Sequence, residues 1–98
     1  MWTGEKKLKL KKNPAFLQVL RERPCIICEK FHEVQQSPTQ AHHVFHDRYS
    51  GKKTDDTMAI PLCEGHHQGL WDNSKIAIHK DKALWREKYG PDYEYSGY

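Results

Sequence analysis

The sequence predicts a small α+β domain, and three observations carry that expectation. Its 98 residues allow one domain. Apolar residues recur at helical spacing near both ends, with two short strand-like runs between them. Three cysteines and several histidines stand at spacings that a packed core does not need. At 37% hydrophobic and 30% charged residues, the chain can bury only a thin core, so a staple of some kind is expected.

Residues 1–12 read as a flexible basic arm. Residues 1–24 hold Lys6, Lys7, Lys9, Lys11, Lys12, Arg21 and Arg23 against Glu5 and Glu22, which leaves the remaining chain near neutrality. A basic arm on a near-neutral body is the pattern of a chain that meets a polyanion and releases its counterions. The five lysines are therefore candidate nucleic-acid contacts.

Residues 13–90 read as the folded domain. Asn13-Pro14 starts a helix, because Asn caps orphan N–H groups and Pro at the first position has none to leave unpaired. Phe16, Leu17 and Leu20 share a face of it, and Pro24 stops it. Cys25-Ile26-Ile27-Cys28 follows, a knuckle whose apolar back is expected on the core. Residues 29–40 are polar and include Ser37-Pro38, which suggests a loop. Residues 41–45 and 57–60 are short strand candidates, joined by an irregular stretch containing Gly51. Residues 64–71 look helical, and Asp72-Asn73-Ser74 breaks them. A last helix follows Asp81 as cap, presents Leu84, Trp85 and Tyr89 to the core, and closes at Gly90-Pro91. Trp71 and Trp85 are expected as core aromatics, His32 and His46 as solvated loop residues. Residues 91–98 form a polar, tyrosine-rich tail expected to be loosely held.

Cys25/Cys28 and Cys63/His66 are two ligand pairs with two residues between the members of each. Such pairs build closed tetrahedral zinc sites, because a tight turn aims both side chains at one ion. A structural Zn2+ there could contribute about 10 kcal/mol or more of apparent binding free energy. With that site filled, His42, His43, His67 and His79 remain, with His32 and His46 as spares, and could form a second, open site. The odd cysteine count, with no charged-then-apolar leader, points to a reducing compartment rather than a disulfide framework. No apolar run approaches membrane-spanning length.

Strand, histidine doublet, long loop, strand and a histidine-bearing helix, in that order, resemble the HNH or ββα-metal nucleases. In detail the chain is similar to the phage recombination-enhancement (Ref-like) branch. The resemblance rests on N-P-A-F-L at 13–17, R-P-C-I-I-C at 23–28, A-H-H-V at 41–44, K-T-D-D-T-M-A-I-P-L-C-E-G-H-H at 53–67, and His79 with W-R-E-K-Y-G at 85–90. It implies a zinc-stabilised HNH domain that hydrolyses DNA phosphodiester bonds with one divalent ion, leaving 5′ phosphate and 3′ hydroxyl ends. By position it implies His43 as general base, with His42, His67 and His79 as ligands of Mg2+ or another divalent cation.

The chain departs from the family pattern in three places. Asp56 stands where an Asn would orient the base, with Asp55 beside it. Trp71 occupies the place of a further histidine, which His79 could replace. His42 and His43 are strand neighbours and point to opposite faces unless the strand bends, so their roles could be exchanged. The partners implied are duplex DNA or a recombination intermediate, and a recombination protein. The location implied is the cytoplasm, that of the host if the chain is phage-encoded. A non-catalytic zinc-binding module that holds nucleic acid, or a zinc-stapled docking protein, would also account for the cysteines and the arm.

Overall fold

The computed structural model describes residues 12–51 and 53–96. Helix α1 (Pro14–Arg21) begins where expected, with Asn13 Oδ1 accepting the Phe16 N–H at 3.1 Å. Leu20 is its fully buried residue, and the helix packs on both strands of a hairpin. Cys25 caps a second short helix, α2 (Ile26–Lys30), whose Ile26 and Ile27 face the core as the knuckle predicts.

The hairpin pairs β1 (Thr39–His42) antiparallel with β2 (Ile60–Cys63), Thr39 opposite Cys63 and His42 opposite Ile60. Both strands lie further from the connecting loop than the expected 41–45 and 57–60. The cause lies at the loop end. The N–H groups of Phe45 and His46 donate to the Asp92 carboxylate at 2.8 and 3.1 Å. On the other side a 3-10 turn, Asp56–Met58, winds the chain before β2. Pro61 is tolerated inside β2 because in a two-stranded sheet each strand has a free edge.

Helix α3 is a single turn, Glu64–His67, where a helix over 64–71 was expected. The Glu64 carboxylate accepts the N–H groups of Leu70 and Asp72 at 2.7 and 2.9 Å and pulls the chain round at Gly69. Gly69 sits at φ +63°, and a Cβ there would come within 2.7 Å of the Ala77 Cβ, so only glycine fits. Trp71 is consequently turned outward at 60% exposure, not packed in the core. The chain then runs beside α3, with the Ile78 and His79 N–H groups donating to the carbonyls of His66 and His67 at 2.9 and 3.0 Å.

Helix α4 (Lys82–Tyr89) has Asp81 as its cap, with Oδ1 accepting the Leu84 N–H at 3.0 Å. Trp85 and Tyr89 are buried as expected, while Leu84 is 43% exposed. The tail departs most from expectation. Residues Asp92–Tyr95 form a 3-10 turn with Asp92 wholly buried, and the Ser96 hydroxyl donates to the Met58 carbonyl at 2.8 Å. Residues 91–96 therefore belong to the packed body. Core side chains include Ile27, Val44, Ile60, Leu62, Ile78 and Trp85, gathered around the three cysteines. Among the described residues no helix is long and apolar enough to cross a membrane.

Two candidate metal centres

The first centre joins α2 to the start of α3. Cys25 and Cys28 come from the knuckle, Cys63 from the end of β2 and His66 from α3, all four buried. His66 Nδ1 lies 3.4, 3.6 and 3.3 Å from the sulfurs of Cys25, Cys28 and Cys63, and the Cys28 and Cys63 sulfurs are 3.9 Å apart. Tetrahedral bonds of about 2.3 Å to sulfur and 2.0–2.1 Å to nitrogen put sulfurs about 3.8 Å apart and sulfur about 3.5 Å from nitrogen. The four side chains thus stand at the edges that one such ion requires.

The rest of the cluster fits a cation as well. His66 Nε2 faces Glu33 Oε1 at 3.1 Å, which places its proton on Nε2 and leaves the Nδ1 lone pair toward the sulfurs. Tyr89 Oη donates to the other Glu33 oxygen at 2.8 Å and holds that carboxylate. Hydrogen bonding with Cys63 and then burial push the Cys25 thiol up, and burial raises Cys28 to about 11. Hydrogen bonding with Cys25 pulls Cys63 down to about 3. A divalent cation among the three sulfurs would favour the thiolate form of each. The cluster can hold a metal ion such as zinc, with four protein ligands and no open position.

The second centre lies in an open pocket of about 540 Å³, lined by Lys12, His42, His43, Lys53, His67 and His79 among others. One ring nitrogen each of His42, His67 and His79 lies within 4.8 Å of the others. His42 Nε2 is bonded to Asp92 Oδ2 at 2.9 Å, and His67 Nδ1 to Gln40 Oε1 at 2.7 Å, so the opposite nitrogens remain for a ligand. Burial lowers the pKa of all three rings, that of His67 to about 3 with the charges of His42 and His79 adding to the effect. For His42 burial outweighs the opposing pull of Asp92. Neutral imidazole is the form that binds a metal.

β1 ends at His42, so His43 is freed from strand alternation and lines the same pocket. Its side chain is 44% exposed, and Nε2 meets Asp56 Oδ1 at 2.9 Å. The other Asp56 oxygen accepts the Asn13 N–H at 2.7 Å. That bond, and then His43, hold the Asp56 carboxyl below the usual carboxylate range. An ionised Asp56 accepts a hydrogen bond from the Nε2–H of His43, so Nδ1 is the ring nitrogen that carries the lone pair. Asp55 instead accepts the Thr57 hydroxyl at the head of its turn.

The ligand sets read from the sequence are thus brought together, and so are His43 and Asp56. Lys12 lines the pocket, whereas Lys6, Lys7, Lys9 and Lys11 lie outside the described residues. His32 is exposed as expected, but His46 is buried at 2%: its Nδ1 accepts the Asp92 N–H at 2.9 Å and its Nε2 donates to the Lys82 carbonyl at 3.0 Å. Sequence reasoning missed Asp92, Gln40 and Lys53. Gln40 could have been found, since it stands two residues before His42 on one face of β1. Asp92 carries no local signal, because its partners lie some fifty residues away.

A family model described as "Protein of unknown function (DUF968)" matches residues 3–96. No curated protein and no solved structure matches the chain.

Proposed function

Starting from a chain that belongs to the DUF968 family, we propose a metal-dependent DNA endonuclease of the HNH type. One observation carries the reading: three imidazoles, with one ring nitrogen of each within 4.8 Å of the others, share a pocket with a histidine whose Nε2 is hydrogen-bonded to a carboxylate. His43 takes a proton from water through Nδ1, and Asp56 orients the ring and stabilises its charged form. His42, His67 and His79 would hold a divalent ion, and such an ion would supply charge stabilisation for phosphodiester hydrolysis. Lys12 and Lys53 at the rim attract the backbone of the nucleic acid. The ligand set is all imidazole, and this favours Zn2+, Ni2+ or Co2+ over Mg2+, which prefers oxygen donors. The Cys3His centre, with no open position, holds the scaffold.

The test is nicking of supercoiled plasmid by the wild type across Mg2+, Mn2+, Co2+, Ni2+ and Zn2+, beside His43→Ala. Wild type is expected to cut with at least one of these ions, and the variant about 10²–10⁴ times more slowly. Equal cutting by the two proteins would remove His43 from the mechanism. The closed cysteine centre also suits a non-catalytic zinc module on nucleic acid. Such a protein would bind DNA, hold one ion per chain and cut with none of the five.

A further inference from the structure

Asp92 is a fully buried carboxylate outside the region from which either ligand set was drawn. It accepts three hydrogen bonds, from the Phe45 N–H at 2.8 Å, the His46 N–H at 3.1 Å and His42 Nε2 at 2.9 Å. Its own N–H donates to His46 Nδ1 at 2.9 Å, and His46 Nε2 is tied to the Lys82 carbonyl, so the carboxylate is fixed from behind. Oδ2 serves both the Phe45 N–H and His42, while Oδ1 serves the His46 N–H. An amide in this place has one acceptor oxygen and would turn its NH2 toward a donor. The carboxylate therefore matches a site where both oxygens face N–H groups, one of them on an imidazole.

We propose that Asp92 is a positioning residue of the second metal centre, and that the 3-10 turn carrying it is part of that centre. A carboxylate on Nε2 fixes the proton there and leaves the Nδ1 lone pair of His42 for an ion, with the rings of His67 and His79 beside it at centroid distances of 5.1 and 5.7 Å. The ring planes of His42 and His67 stand at 71° with centroids 5.1 Å apart, an orientation the Asp92 bond holds from the far edge of His42. Asp92 does not touch the reacting atoms. It acts through His42, by fixing the tautomer and orientation of one ligand and raising its basicity. The inference rests on His42, His67 and His79 being ion ligands, and not on cleavage.

The test uses Co2+ titrated into full-length protein whose cysteine centre is already filled with zinc. Asp92→Asn is expected to weaken Co2+ binding at the histidine centre about 10–100-fold while zinc stays in the cysteine centre. Ser96→Ala, which removes another tie of the tail to Met58, is expected to leave Co2+ affinity unchanged. Equal affinity in wild type and Asp92→Asn overturns the proposal, as does an equal loss in Ser96→Ala, which would show that tail packing alone matters. A wild type that takes no Co2+ beyond its zinc sinks the ligand set and this proposal together. Should Asp92→Asn not fold, the 15N shifts of wild type with zinc in the cysteine centre and the histidine centre left empty decide: the proton of His42 is expected on Nε2, and a proton on Nδ1 overturns the assignment.

Discussion

At the scale of single residues, the pocket separates the two neighbouring histidines by what each leans on. His42 is bonded to a buried carboxylate and shares its cluster with His67 and His79, while the more exposed His43 leans on Asp56 at the rim. In the proposed mechanism Asp56 would fill the orienting place expected of an Asn, and either side chain can accept a hydrogen bond from the imidazole N–H. Asp56→Ala should therefore slow cutting roughly 10–100-fold, and Asp56→Asn should retain most of the activity. Equal rates for both variants in a steady-state nicking assay would show that the His43 bond does no orienting. The candidate ligands were legible in the sequence because their residue types and spacings are themselves the signal, as in Cys25-x-x-Cys28 and Cys63-x-x-His66. Asp92 was not, since one acidic residue beyond a helix stop looks like any other until the fold brings it to His42.

At the scale of elements, helix starts were read correctly where a cap fixes them, as Asn13 and Asp81 do. Strand and helix ends were misplaced where side chains from distant segments capture backbone groups. Asp92 ends β1 by taking the N–H groups beyond it, and Glu64 ends α3 by taking those of Leu70 and Asp72. The turn after α3 brings His79 beside His67, so its rigidity matters to the histidine centre. Gly69→Ala should destabilise the protein by about 1 kcal/mol or more, from a positive φ and a clash with Ala77. An unchanged melting temperature would contradict that geometry. Asp72 ties the same turn to Ser37 and to Ser74. Bonds first from Ser74 and then from Ser37 hold its carboxyl below the usual 3.8. Its contribution is therefore present above that value and is lost as pH falls through the lower folded one. The stability gap between wild type and Asp72→Asn, followed by denaturant titration, should stay constant above about pH 5 and shrink below pH 4.

At the scale of the whole molecule, a thin core gathers around three cysteines, so an ion held by them would carry a large share of the stability. Structural zinc contributes roughly 10–16 kcal/mol of apparent free energy, as large as the whole stability of a typical domain. Strong chelation, or Cys28→Ser, should therefore unfold the chain, with loss of helical circular dichroism. Retention of the folded signal without metal would show that the core suffices by itself. The α+β class and the two end helices were legible from periodicity and caps. The closing of the tail over Met58 and His42 was not, because polar composition says nothing about which carboxylate will be buried. In the proposed division of labour one ion would hold the scaffold and a second would enable cutting. That division is tested most directly by counting ions per chain against plasmid nicking, in protein stripped by a mild chelator and then given back Co2+, Ni2+ or Zn2+. Folded, DNA-binding and inactive protein is expected at one zinc per chain, with nicking restored in step with a second ion. Full nicking at one ion per chain, or none at two, would contradict it.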